Sequence, residues 1–147
     1  GRVTSLHTRG VVAMSGTFGY ELNPALLSVE EKAEIRMQLA KYREHQELIR
    51  EGNYYRLSDP FQDDFAAWMV VSEDQNQALV SVVRLTAEAN PVAAYVTPRG
   101  LAEDAFYLEK TTGKVYVGAA LMEAGIPLPA PKGEYEAYQI MLQRVTE

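Results

Sequence analysis

The sequence changes its period at Gly52, and that change limits what the chain can fold into. Before it, Ile35, Leu39, Tyr42 and Ile49 recur at spacings of four, three and seven, which is one apolar stripe on a helix. Ser28 and Glu31 make the S-x-x-E capping box that opens such a helix. Gly52 stands where a C-cap glycine belongs, so a helix is predicted over 29–51. After Gly52 the runs shorten, and strands are predicted at 54–57, 66–72, 78–87, 93–96, 105–108, 114–117 and 135–145. Between them stand the turn signals Glu73-Asp74-Gln75-Asn76, Asn90-Pro91, Pro98-Arg99-Gly100 and Thr111-Thr112-Gly113. Short strands spaced by such turns predict a mostly β chain ending in an antiparallel β-sandwich.

Two further segments fill in the organisation. Val11-Val12-Ala13-Met14, bounded by Gly10 and Ser15-Gly16, is predicted to be a strand buried on both faces, as in a parallel sheet. Met122 to Ile126 interrupts the strand order, and Pro127, Pro129 and Pro131 make a stiff extended connector. One buried strand and one amphipathic helix cannot cover their own apolar faces. Residues 1–52 are therefore expected to be the last unit of something larger, with 53–147 as a second domain. Gly1-Arg2-Val3 lacks an initiator Met and a signal-peptide pattern, which fits a truncated start.

Composition removes several function classes. Apolar residues at 47% are enough for a packed core. The net charge is -6 with no Lys/Arg cluster, so no nucleic acid is expected as a partner. With no cysteine, disulfides, thiolate catalysis and Cys-ligated metals are excluded. No apolar run approaches the ~20 residues that a bilayer requires, so no membrane is expected and a cytoplasmic location fits.

The chemistry-bearing residues lead to bland readings. His7 and His45 have no third ligand at a metal spacing, so structural or solvated roles are expected. Ser15 lacks the leading glycine of a nucleophile elbow. Gly16-Thr17-Phe18-Gly19 lacks the third glycine of a dinucleotide loop and the Gly-Lys pair of a P-loop. Asp63-Asp64 is the only adjacent pair of aspartates, but a retaining glycosidase holds its carboxylates about 5 Å apart on opposite sides of the scissile bond. Trp68 could stack on a sugar ring, yet in an apolar strand it is expected to fill the sandwich core. Of Tyr54 and Tyr55, only one can face inward. No catalytic, cofactor-binding or metal residue is assigned, and no cofactor is expected.

The stretch from Arg9 to Asn23, RGVVAMSGTFGYELN, resembles the end of the catalytic barrel in family 36 α-galactosidases. A helix similar to theirs follows, ending in LIREGNYYRL over 48–57, and then come AWMVVS over 67–72 and Pro127-Leu128-Pro129. Asn23 departs from the Asp expected in most relatives, and 93–101 matches nothing distinctive. The resemblance implies a (β/α)8 barrel closed by an antiparallel domain, with 1–52 as the last β/α unit. It implies retaining hydrolysis of terminal α-galactosides such as melibiose and raffinose, by two aspartates on earlier barrel strands, in a homo-oligomer that is a tetramer in many members. Neither catalytic motif is present, so this chain is expected to be a non-catalytic C-terminal portion, bacterial and cytoplasmic, whose partners are the substrate and the rest of the barrel. The rival reading is a stand-alone carbohydrate-binding or oligomerisation module.

Overall fold

The computed structural model describes residues 4–87, 93–130 and 132–145. Gly1-Arg2-Val3, the Asn90-Pro91 turn signal and Pro131 lie outside the described residues. Ser5 turns its hydroxyl onto the Thr8 amide and opens helix α1 (Leu6–Ala13). The segment 11–14, expected as a strand, is instead the end of this helix, closed by Met14. Burial shows why. Thr8, Val11 and Met14 are buried three apart, whereas Val12 and Ala13 face out. A four-residue apolar run is too short to reveal that helical period.

A short turn of 3-10 helix (Pro24–Leu26) leads into α2 (Val29–Glu51). Both bonds of the capping box form, Ser28 N–H to Glu31 Oε2 at 2.8 Å and Glu31 N–H to Ser28 Oγ at 3.1 Å. Gly52 ends the helix, but at φ -72°, which any residue can adopt. Glycine is required there by proximity, since a Cβ would meet the Val71 carbonyl oxygen at 2.9 Å.

The remainder is mainly antiparallel sheet, as expected. Strands β1 (Asn53–Arg56), β2 (Phe65–Val71), β3 (Gln77–Arg84), β5 (Phe106–Glu109), β6 (Val115–Val117) and β8 (Ala137–Arg144) form one sheet in the order β1-β2-β3-β8-β5-β6. A second pair joins β4 (Tyr95–Val96) to β7 (Ile126–Pro127). Helix α3 (Gly118–Ala124) stands between β6 and β7, which explains the interruption seen in the sequence.

The main core lies between the large sheet and the small layer. Met69, Val80, Val82, Tyr107 and Leu142 pack there against Val96, Leu101, Leu121, Ile126 and Leu128. The opposite face of the sheet is covered by helices. Leu48 of α2 packs on Val70, Leu79 and Met141, and Val11 of α1 on Val83 and Ala137. Strands β2 and β3 are thus buried on both faces and read as continuous apolar runs. Trp68 is half-buried against the α1 cluster and not in the sandwich core, a correction with the same origin. An unbroken apolar strand does not say which face any residue takes. Tyr55 packs inward against the core and Tyr54 outward, as pleating demands. Among the described residues, no helix is long and apolar enough to cross a membrane.

Candidate functional site

The part of the chain that bears most on function is the helix pair and the strap between the helices. Helices α1 and α2 approach so closely at Gly10 that a Cβ there would overlap the Gln38 amide. Gln38 is buried and ties three elements together. Its Nε2 donates to the Leu6 carbonyl at 3.1 Å and to Glu34 Oε1 at 2.7 Å, while its Oε1 accepts from the Tyr20 hydroxyl. Tyr20 lies on the strap, as does Phe18, whose ring centroid is 5.1 Å from Tyr20 and 5.2 Å from Tyr42. Helix, extended strap and helix are therefore joined by one amide hub and one aromatic cluster.

The face of α2 that turns inward is more polar than its periodicity predicts. Gln38, His45 and Leu48 are buried, while Ile35, Leu39, Tyr42 and Ile49 are only half-buried. His45 lies on the buried side of α2 with its pKa lowered, first by burial, and further by the positive charges of Lys41 and Lys110. Glu44 opposes this, but at 4.0 Å and 61% exposed it is too solvated to win. The neutral imidazole is therefore the form that the fold prefers. Stability is fully present above the unfolded-state pKa of about 6.5 and is lost as pH falls from there toward the lowered folded value. Melting temperatures measured between pH 7.5 and 5 should fall in the wild type and stay flatter in His45→Gln. Equal slopes would show that His45 is not the group responsible.

The structure disperses the other residues singled out in the sequence. Asp63 Oδ2 accepts from the Asp59 amide at 2.8 Å and Asp64 Oδ1 from the Thr86 hydroxyl at 2.7 Å. Both are exposed turn-formers. His7 bridges Glu34 and the Ala137 carbonyl, each at 3.3 Å. Ser15 and Gly16 are exposed after the buried Met14, at the end of a helix and not of a strand. An open cleft of about 790 Å³ beside the end of α2 is lined by Glu44, Glu47, Glu51, Glu73 and Asp74. Among the described residues no group of three His, Asp or Glu is placed to hold a metal. Gln38 was missed in the sequence. No local signal marks it, because its role arises from Leu6 and Tyr20, far along the chain.

Comparison with known proteins agrees with this geometry. Residues 65–142 match the model of the glycosyl hydrolase family 36 C-terminal domain, and residues 1–52 match melibiase. The whole chain is 64% identical to part of the bifunctional alpha-galactosidase/sucrose kinase AgaSK of Mediterraneibacter gnavus, and 42% identical to part of alpha-galactosidase AgaA of Geobacillus stearothermophilus. It spans 16% and 20% of those two relatives' lengths. The galactosidase domain of AgaSK superposes with a TM-score of 0.96 over 99% of this chain and 20% of its own. A doubly substituted AgaA in complex with raffinose, 42% identical, superposes with a TM-score of 0.95 over the same shares. With both parts matched and the fold shared from end to end, the chain belongs to glycosyl hydrolase family 36.

Proposed function

We propose that this chain serves as the C-terminal, non-catalytic portion of a retaining α-galactosidase that hydrolyses terminal α-galactosides such as melibiose and raffinose. The observation that carries this reading is the end-to-end superposition on an α-galactosidase in complex with raffinose. Residues 1–52 would be the last unit of its barrel and 53–147 the closing β domain. The half-buried stripe of α2 and the strap would pack against the rest of that barrel. We assign the parent enzyme to the bacterial cytoplasm, as a homo-oligomer, with the catalytic aspartates supplied from outside these residues.

The test has two arms. Alone, the chain should hydrolyse an aryl α-galactoside no faster than buffer, because retention needs two carboxylates held about 5 Å apart. Exchanged for the corresponding part of the M. gnavus relative, it should leave that enzyme active. Turnover by the isolated chain that disappears in Asp63→Asn or Asp64→Asn would overturn the reading. So would a folded chimera with no turnover.

A further inference from the structure

A row of three side chains crosses one end of the sheet, with a fourth, Tyr138, beside it. Phe65 and Arg84 are register partners, and the Arg84 amide donates to the Glu136 carbonyl at 2.8 Å. Residues directly opposed on neighbouring strands share a face. Here it is the face of Ala67, Val82 and Tyr138, which borders the main core. Arg84 is only 5% exposed, with its guanidinium 5.9 Å from the Phe65 ring centroid. Its Nε is buried without a hydrogen-bond partner, and among the described residues it forms no ion pair. A guanidinium stays charged at any ordinary pH, and a buried charge without an acceptor is costly.

Glu136 does not supply that acceptor. Its Oε2 receives the Lys132 amide and the Tyr138 hydroxyl, each at 2.8 Å. Its Oε1 takes no hydrogen bond among the described residues. The row thus offers one unused cationic donor and one unused anionic acceptor. A charged ligand is repelled by one of the two. A neutral ligand with adjacent hydroxyls satisfies both, one oxygen accepting from Arg84 and the next donating to Glu136. Phe65 and Tyr138 each pack partly against the main core, and the part of each side chain left exposed suits the C–H face of a pyranose. We propose that Phe65, Arg84, Glu136 and Tyr138 form a non-catalytic binding site for a neutral sugar. This inference stands apart from the hydrolase reading, because it concerns binding by the 147-residue chain itself.

The experiment titrates methyl α-galactoside into the full ¹⁵N-labelled chain and follows the Arg84 Nε–H resonance, assigned through Arg84→Lys. A saturable shift at roughly millimolar sugar is expected. Glu136→Gln, read at the same resonance, and Arg84→Met, read at the backbone amides of Phe65 and Tyr138, should each bind about tenfold more weakly or worse, as loss of a charge-assisted hydrogen bond produces. Glu136→Gln keeps the test alive if Arg84→Met does not fold. Three outcomes overturn the proposal. The sugar leaves the resonance unmoved, which means that water alone serves Arg84. Both variants bind like the wild type. Or sulfate gives the saturable shift and the sugar does not, which makes the row an anion site.

Discussion

Gly118→Ala is expected to lower the unfolding free energy by about 3 kcal/mol, the upper end for forcing a methyl group into packed structure. A Cβ at Gly118 would overlap the carbonyl oxygen of Ala102 and lie 3.3 Å from the Tyr107 ring. The obstacle is backbone, which cannot swing away as a side chain would. That backbone is itself fixed. The Gly118 amide donates to the Ala105 carbonyl at 2.8 Å, and the Ala102 amide donates to the Tyr107 hydroxyl at 3.0 Å. The same hydroxyl donates to the Gln75 carbonyl at 2.8 Å, so Tyr107 links two loops from within the core. Tyr107→Phe should therefore cost about 1–2 kcal/mol, leaving a half-buried amide and a half-buried carbonyl short of a partner. Urea denaturation checks both, and for Gly118→Ala the melting temperature should fall by roughly 10 °C. Gly16→Ala is the control, since nothing lies within 4 Å of its Cβ position and no loss is expected. A Gly118→Ala loss as small as the control's would show that the turn at 102–105 yields easily.

The parts of this fold that were legible in the sequence are those whose causes are local. Ser28 and Glu31 announce the start of α2 because both capping bonds lie within four residues. The Thr111-Thr112-Gly113 turn announces itself because Gly113 takes φ +72° and glycine alone does so freely. What was illegible depends on distant partners. Periodicity assigned the inner face of α2 to Ile35, Leu39 and Tyr42, but Gln38 and His45 hold it, and Gln38 is stabilised there by the Leu6 carbonyl. Val11 to Met14 reads as a strand until Gly10 is seen to admit α2 alongside. Trp68 was assigned to the sandwich core and lies on the helix side instead, because helices cover one face of its strand and the small layer covers the other. The candidate site followed the same rule. The strap motif carried the family resemblance, whereas the Phe65–Arg84–Glu136 row needs strands brought together from across the chain.

Removing residues 1–52 is expected to leave a chain that still unfolds cooperatively, at a much lower temperature and as an associating species. The main core survives the cut, because the buried residues between the two sheets all lie beyond Gly52. The helix-covered face does not. Val70, Leu79 and Met141 lose Leu48, and Val83 and Ala137 lose Val11. Full burial of one such side chain contributes about 1.5–3 kcal/mol, and partial re-exposure of five forfeits several kcal/mol. That is a large part of the 5–15 kcal/mol that holds a typical domain together. The bared face is also contiguous, running across β2, β3 and β8, and apolar patches of that kind find partners. Light scattering should report oligomers of the 53–147 chain, and Leu79→Thr with Met141→Thr should return it toward monomer without abolishing the transition. Circular dichroism decides the boundary. A β-type spectrum with a cooperative melt supports residues 53–147 as a folding unit that the helices stabilise from outside. A melt without cooperativity would make α1 and α2 part of its core and move the boundary toward the N-terminus.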